Sequence, residues 1–210
     1  MSMRAIIVGA GGHSKVVLEV IRAMGGHEVL GFVAPAAPGA SVLGLPVLGG
    51  DEILPRLLAE GVQTAFVAMG NNQLRQEVAG KLRKMGYSLP AAIHPSALVS
   101  PSACIGQGVV VMARAALGTE ALLQDFAIIN TGAVIDHDNH IGAAAHVAPG
   151  CALAGNVTVG ERALIGVGAA VRPGIRIGAD AVIGAGSAVV RDVAAGAIVG
   201  GAPARPLRRS

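Results

Sequence analysis

The stretch INTGAVIDHDNHIGAAAHVAPGCALAGNVTVGERALI, residues 129–165, has Ile, Val or Leu at every sixth position. The same phase continues without a break in both directions, over 17 consecutive positions. These positions are Ile93, Val99, Ile105, Val111, Leu117, Leu123, Ile129, Ile135, Ile141, Val147, Leu153, Val159, Ile165, Val171, Ile177, Ile183 and Val189. A period of six matches neither a helix of about 3.6 residues per turn nor the alternation of a plain strand. It matches a short strand and a turn repeated many times, which predicts a parallel β-helix with three hexads in each triangular coil.

The residues around the aliphatic positions support this fold. Mostly small residues, such as Ala133, Ala145 and Cys151, stand two places before them, and glycine often follows directly, as at Gly142. Residues i and i−2 of a strand point to the same face, so both kinds of side chain point into a narrow prism. We therefore predict an all-β domain with a C-terminal tail over residues 91–210.

Residues 1–90 lack the hexad and have a different organisation. The sequence RAIIVGAGGHSKVVLEVIRAMG, residues 4–25, predicts a strand, a glycine turn and an amphipathic helix, and similar patterns follow it. This alternation predicts a Rossmann-like α/β domain with a parallel sheet. The turn GAGGHS is an imperfect dinucleotide fingerprint, because Ser14 replaces the third glycine and no acid follows the second strand. It indicates a nucleotide-containing substrate, or simply close packing of helix on strand, rather than a redox cofactor.

Composition excludes several functions. The formal charge of +3 is modest and no run of Lys and Arg is interleaved with aromatic residues, so nucleic-acid binding is not expected. Gly, Pro or a charged residue interrupts every apolar run that would be long enough for a membrane span. The N-terminal residues lack a signal-peptide pattern, so we expect a cytoplasmic protein. Cys104 and Cys151 form neither a disulfide framework nor a metal motif. The basic residues Arg205, Arg208 and Arg209 either meet a phosphorylated ligand or keep the tail soluble.

Five segments occur in an order that resembles one family. They are IIVGAGGHSKVVLEVI (6–21), AMGNNQLRQ (68–76), the proline-rich IHPSALVSPSA (93–103), the hexad run and GGAPARPL (200–207). Together they resemble the bacterial sialic-acid O-acetyltransferases and nucleotide-amino-sugar N-acetyltransferases of the NeuD/PglD type, which are hexapeptide-repeat acyltransferases. The resemblance implies left-handed coils, against the usual right-handed crossover of parallel strands, and acetyl-CoA as co-substrate.

The resemblance also implies site residues. His137 would be the general base of an N-acetyltransferase, with Asp138 raising its basicity, and His146 and Val167 would contact acetyl-CoA. The implied contacts with a nucleotide-linked amino sugar are Gly11, Gly12, His13 and Gly70. The family's acidic pair after the second strand falls on Ala34 and Pro35 here. This departure leaves the nucleotide, UDP or GDP, open.

The residue types agree with this chemistry. Acetyl transfer from a thioester needs a nucleophile that loses a proton, and histidine titrates nearest to neutral pH. A carboxylate on the far ring nitrogen would fix the tautomer and stabilise the imidazolium. Asp136 and Asp138 both flank His137, and the resemblance favours Asp138. Backbone N–H groups of glycine-rich turns, such as that of Gly155, would stabilise the negatively charged tetrahedral intermediate.

The hexad phase predicts that the site lies between chains. His137 comes two places after Ile135, at a corner of the prism, whereas His146 precedes Val147 and faces outward on the side opposite that corner. The two histidines of one chain therefore cannot meet. They can meet across an interface between neighbouring prisms, which predicts a homotrimer with three intersubunit sites.

Other interpretations stay open. His137 with Asp138 could be a solvated corner, His146 could pack in a trimer, and His13 could cap a turn. The alternative functions are a sugar O-acetyltransferase of the sialic-acid type, a zinc enzyme of the carbonic-anhydrase type on the same prism, and a non-catalytic trimeric scaffold. The zinc enzyme would need two histidines two coils apart on one face, and the hexad region has no such pair, so we expect no metal.

Overall fold

The computed structural model of the chain describes residues 2–35 and 39–207. The chain divides into two compact units, residues 1–92 and residues 93–210. Two of the three basic C-terminal residues named above, Arg208 and Arg209, lie outside the described residues. Within the described ranges, no helix is both long and apolar enough to cross a membrane.

The N-terminal unit alternates strands and helices. Its elements are β1 (Met3–Val8), α1 (Gly12–Met24), β2 (His27–Val33), β3 (Ser41–Val42), β4 (Leu45–Gly49), a short 3₁₀ helix (Asp51–Ile53), α2 (Leu54–Ala59), β5 (Thr64–Val67) and α3 (Asn72–Met85). The sheet has the order β3-β4-β2-β1-β5, in which the β3–β4 hairpin is antiparallel and the other pairs are parallel. Its parallel part has the order of the first half of a dinucleotide-binding fold, which confirms the predicted Rossmann-like domain.

Burial and capping explain these elements. β1 is apolar and buried on both faces from Ala5 to Val8, as expected for a central parallel strand covered by helices. α3 begins after Asn71, whose Oδ1 accepts a hydrogen bond from the N–H of Leu74 at 2.9 Å, and it ends before Gly86 in the left-handed conformation. β3, β4 and α2 were not predicted, because glycine and proline interrupt the short apolar runs between residues 41 and 59.

The second unit consists of short strands, mostly two residues long, separated by turns. They are β6 (Ala92–Ile93), β7 (Leu98–Val99), β8 (Cys104–Ile105), β9 (Val110–Val111), β10 (Ala116–Leu117), β11 (Leu122–Leu123), β12 (Ile128–Ile129), β13 (Val134–Ile135), β14 (His140–Ile141), β15 (His146–Val147), β16 (Ala152–Leu153), β17 (Thr158–Val159), β18 (Leu164–Ile165), β19 (Ala170–Val171), β20 (Arg176–Ile177), β21 (Val182–Ile183), β22 (Ala188–Val189), β23 (Ile198–Gly200) and β24 (Arg205–Pro206).

These strands form three faces of a prism. The first face contains β7, β10, β13, β16, β19 and β22, the second contains β8, β11, β14, β17 and β20, and the third contains β6, β9, β12, β15, β18, β21, β23 and β24. Each coil pairs in parallel and in register with the next, so that His140 lies beside Thr158 and His146 beside Leu164. The predicted left-handed parallel β-helix is thereby confirmed.

The core of the β-helix is the stack of inward aliphatic and small side chains. Ile135, Ile141 and Val147, one from each face of a single coil, are completely buried. The small residues two places before the aliphatics, such as Ala133 and Ala145, are buried as well. Because each of these side chains packs against its equivalents in the coils above and below, the interior is filled without large aromatic residues.

Most turns of the prism contain a residue in the left-handed conformation. These residues recur every six positions from Gly108 to Gly186, three places after an inward aliphatic, and glycine fills only some of the positions. Asp138 is one of the non-glycine members, with φ of 56°. Aspartate tolerates this conformation because its short polar side chain can form local hydrogen bonds. The turn geometry therefore admits a carboxylate directly after His137.

Two adjacent residues of β17 test the core. Val159 is buried and points inward, whereas Thr158 is exposed on the second face beside Arg176. Val159→Asp buries an unpaired charge at a cost of several kcal/mol and should abolish soluble, cooperatively folded protein. Thr158→Asp should leave the melting temperature within a few degrees of wild type, as is usual for surface substitutions. Soluble expression and thermal unfolding by circular dichroism measure both. Equal tolerance at the two positions would contradict the β-helix core.

Candidate functional site

The turn between β13 and β14 contains the predicted base and both of its candidate acids. His137 Nδ1 lies 2.7 Å from Asp138 Oδ2, and the backbone N–H of His137 donates to Asp136 Oδ1 at 2.7 Å. Asp138 therefore contacts the imidazole ring, while the side chain of Asp136 accepts a hydrogen bond from the backbone N–H of His137. Of the two candidate carboxylates that flank His137 in the sequence, Asp138 is the one that contacts the imidazole ring in the structure.

The carboxylate contact determines how the His137 ring is protonated. Because an ionised carboxylate only accepts hydrogen bonds, the contact with Asp138 assigns a proton to Nδ1 and leaves the lone pair on Nε2 in the neutral ring. The hydrogen bond to Asp138 raises the pKa of His137, and the charge of Asp136 raises it further. Both side chains of the pair are more than half exposed. The ring is thus an accessible base with one oriented nitrogen.

The His137 turn occupies space that the side chains of two neighbouring residues would fill if those residues were not glycine. A Cβ at Gly155, in the turn one coil above, would overlap Nε2 of His137 and lie 2.5 Å from its Cε1. A Cβ at Gly118, in the turn one coil below, would lie 2.7 Å from the carbonyl carbon of Asp136 and 2.8 Å from the nitrogen of His137. The His137 turn is therefore held between two residues that cannot carry a side chain without displacing it.

His146 lies in β15 on the third face and has a polar partner that the sequence analysis missed. The side-chain nitrogen Nδ2 of Asn130 lies 3.0 Å from His146 Nε2, and Asn130 Oδ1 accepts a hydrogen bond from the N–H of Thr131 at 2.8 Å. Since Oδ1 is used in this way, the amide donates to Nε2, which places the ring proton on Nδ1. Val167 lies at the turn after the neighbouring strand β18 and is exposed.

The structure does not bring His137 and His146 together within one chain. His137 lies at the edge between the first and second faces, and His146 lies on the third face, opposite that edge. His140 belongs to the second face, and His94 Nδ1 accepts a hydrogen bond from the N–H of Ser96 at 3.0 Å. Within the described part of the chain, no group of three or more His, Cys, Asp or Glu side chains is arranged to hold a metal ion.

In the N-terminal unit, the predicted nucleotide-sugar residues lie at the carboxyl edge of the sheet. Gly11, Gly12 and His13 follow β1 and form the start of α1, and Gly70 follows the adjacent strand β5. The strand order reverses between β1 and β5, which is where sheets of this type bind ligands. A Cβ at any of the three glycines would meet no atom within 4 Å, so these positions face open space. The N–H groups at the start of α1 make this edge suitable for an anion.

A buried arginine provides positive charge at the same edge. Arg75 is 1% exposed, and its Nη1 donates to the carbonyl oxygen of Met69 at 2.9 Å, next to Gly70. Burial lowers the pKa of Arg75 to about 10, so it stays charged at neutral pH. Burial and the charge of Arg75 together lower the pKa of His13 to about 4, so His13 is neutral there. Ala34 and Pro35, which follow β2, contribute no charge at this edge.

Known proteins are similar to this chain over both of its units. Residues 4–82 match the family model described as the PglD N-terminal domain. UDP-N-acetylbacillosamine N-acetyltransferase of Bacillus subtilis is 40% identical over 119 residues, covering 51% of this chain and 50% of that protein, so the chain spans about half the length of this relative. GDP-perosamine N-acetyltransferase of Escherichia coli is 30% identical over 159 residues, covering 73% of this chain and 71% of that protein.

A solved structure is similar over nearly the whole chain. The crystal structure of PerB from Caulobacter crescentus, in complex with CoA and GDP-perosamine, is 51% identical and covers 97% of both chains, with a TM-score of 0.93. The chain belongs to the nucleotide-amino-sugar N-acetyltransferase family. The resemblance stated from the sequence is therefore confirmed, and so is the enzyme class, hexapeptide-repeat acyltransferases.

Titration of His137 tests the geometry of the pair. In wild type, NMR should give a pKa above the ordinary histidine value of about 6.5. Asp138→Asn removes the carboxylate that stabilises the imidazolium, so the pKa should fall. Asp136→Asn keeps an oxygen for the N–H of His137 and removes only a charge, so its effect should be smaller. The resonance of His140 is the internal control. An unchanged His137 pKa in Asp138→Asn would contradict the hydrogen bond described above.

Proposed function

We propose that the chain transfers the acetyl group of acetyl-CoA to the amino group of a GDP-linked amino sugar, with His137 as general base. The observation that carries the proposal is the His137–Asp138 pair, whose 2.7 Å contact leaves Nε2 available beside Gly155. PerB, which is similar over 97% of its length, was crystallised in complex with CoA and GDP-perosamine. The proposed co-substrate and acceptor are metabolites of the cytoplasm. The proposal therefore includes the cytoplasmic location that we predicted from the sequence.

His137 and Asp138 would act as a base and its partner. The amine lone pair of the sugar attacks the thioester carbonyl carbon and forms a C–N bond, and Nε2 of His137 takes the proton that the nitrogen loses. Asp138 stabilises the resulting imidazolium through Nδ1. When the C–S bond breaks, the CoA sulfur leaves with the electron pair and the imidazolium returns the proton to it.

Gly155 would stabilise the tetrahedral intermediate. Among the backbone hydrogen bonds of the described residues, the N–H of Gly155 donates to no oxygen, while the N–H of Ala154 before it and of Asn156 after it both donate. An unused N–H beside Nε2 of His137 suits a negatively charged oxygen that develops next to the base. His146, with its proton on Nδ1, would donate to an oxygen of acetyl-CoA, and Val167 would contact the same molecule.

A complete site would need two chains. His137 and His146 lie on opposite sides of one prism, so the base of one chain can meet the acetyl-CoA contacts only of another. A cyclic trimer closes such head-to-tail contacts and gives three equivalent sites. We therefore keep the homotrimer as part of the proposal.

The nucleotide would bind at the carboxyl edge of the N-terminal sheet. The N–H groups of Gly12 and His13 at the start of α1 and the buried charge of Arg75 suit a diphosphate. We propose GDP as the nucleotide because the similarity to PerB extends over 97% of both chains. The similarity to UDP-N-acetylbacillosamine N-acetyltransferase covers only about half of each chain.

The acceptor and the base can be tested together. Wild type incubated with acetyl-CoA and matched GDP- and UDP-linked 4-amino-sugars should acetylate the amino group of the GDP-linked sugar, as measured by mass spectrometry. His137→Ala should lower turnover by about 10² or more, as expected for loss of a general base. His140→Ala, a nearby histidine on the second face, is the matched control and should stay near wild type. A fully active His137→Ala protein, or acetylation of hydroxyl groups only, would contradict the proposal.

Mixed assemblies test the two-chain site. His137→Ala and His146→Ala proteins should each be impaired. After dissociation and random reassociation of an equimolar mixture, about a quarter of all sites should contain both wild-type histidines, so activity should rise above that of either parent. If one chain supplied both histidines, every site would still lack one of them and mixing would restore nothing. Light scattering of the reassociated protein verifies that trimers are present.

A further inference from the structure

Asn139 occupies a position of the β-helix where its polar side chain is unexpected. It stands two places before Ile141, in the inward series that Ala121, Ala133 and Ala145 fill in neighbouring turns. Asn139 is 1% exposed, so its amide lies inside the prism among aliphatic side chains. Burying an amide is unfavourable unless hydrogen bonds compensate it, which makes its partners informative.

The side chain of Asn139 joins the His137 turn to the turn above it. Its Nδ2 donates to the carbonyl oxygens of Asp136 at 2.9 Å, His137 at 3.3 Å and Ala154 at 2.9 Å. Because all three neighbours are acceptors, the NH₂ group rather than the oxygen must face them. Two of these carbonyls belong to the proposed base, His137, and to the residue before it. The third belongs to the residue before Gly155, whose N–H we propose as the donor to the intermediate.

Stability alone does not account for an asparagine here. Its Oδ1 is buried and has no hydrogen-bond partner among the described residues, which costs about 1–3 kcal/mol. Alanine fills the equivalent inward position one coil below, at Ala121, and in the adjacent turns, at Ala133 and Ala145, without that cost. The amide therefore contributes something that the packing of the coil does not require.

We infer that Asn139 is a positioning residue that holds the His137 turn and the Gly155 turn in a fixed relation. The inference rests on the proposed function of His137. The base and the N–H donor must face the same reacting carbonyl, and they belong to different coils. Backbone hydrogen bonds join the coils along the strands, and one joins the two turns, from the N–H of Asn156 to the carbonyl oxygen of His137 at 2.9 Å. Asn139 adds side-chain hydrogen bonds to both turns, on the residues next to the base and next to the N–H donor.

Graded substitutions separate positioning from structure. Asn139→Ala removes all three hydrogen bonds and places in the slot the residue that the adjacent turns have. Asn139→Ser should keep one of them, because Ser187, in the equivalent slot of a later coil, donates to the carbonyl of Gly184 three residues before it at 2.6 Å. Ser187→Ala is the matched control, since it removes a buried polar group from the same kind of slot away from His137.

We expect Asn139→Ala to stay folded and to lower kcat by about 10- to 100-fold, the loss typical of a misplaced catalytic group, with little change in KM for either substrate. Asn139→Ser should lie between Asn139→Ala and wild type, and Ser187→Ala should match wild type. In a His137→Ala background, Asn139→Ala should cost less than about twofold, because residues that act as one unit are not additive. Circular dichroism and thermal unfolding measure the folded fraction of each variant.

Three outcomes would overturn the inference. The first is wild-type kcat in folded Asn139→Ala or Asn139→Ser. The second is a loss of rate that only follows the folded fraction. The third is an undiminished effect of Asn139→Ala when His137 is already absent. Failure of the proposed function itself has a different signature, because His137→Ala would then be active whatever the behaviour of the Asn139 variants.

Discussion

The stacking of inward aliphatic side chains, one from each face in every coil, is the constraint on which the rest of the β-helix depends. Each inward residue packs against its equivalents one coil above and below, as Ile135 does between Leu117 and Leu153. A shift of one residue in any coil would turn an aliphatic outward and a turn residue inward. Parallel pairing and the six-residue period are therefore mutually dependent, which explains why the phase of the repeat never changes.

That fixed phase places the candidate site. Each turn begins after an inward aliphatic, and the turns from Gly108 to Gly186 contain a left-handed residue three places on, so the residues between them stand at the edges of the prism. His137 projects at such an edge, and Asp138 takes the left-handed position beside it. Gly118 and Gly155 stand at the same edge in the adjacent coils, where a side chain would collide with the turn. The repeat thus exposes the His137 ring at this edge without any departure from its own geometry.

Much of this arrangement could be predicted from the sequence, and the reasons for the exceptions are physical. The six-residue period predicted the prism, its three faces and the placement of His137 and His146 on opposite sides, because a strict period determines where every residue points. The contact of Asn130 with His146 was not predicted, since it joins residues from adjacent coils through side-chain conformations that periodicity leaves free. The buried Arg75 was missed because it lies in a helix whose other residues read as an ordinary amphipathic surface. Asn139 left a visible signal, a polar residue in the inward series, whose meaning only the three carbonyl contacts reveal.

The electrostatics of the His137 turn show a compromise that the family's reaction would require. Two carboxylates raise the pKa of His137, which strengthens the base toward a proton on an amino nitrogen and at the same time lowers the fraction of base that is neutral near pH 7. Exposure of the ring limits the size of this effect, because solvent screens both charges. Asp138 contacts the ring nitrogen directly, while Asp136 uses one carboxylate oxygen on the backbone N–H of His137. Asp138, which has the larger effect on the pKa of His137, thus also fixes the tautomer of the ring. The same contact orients Nε2 and raises the basicity of His137.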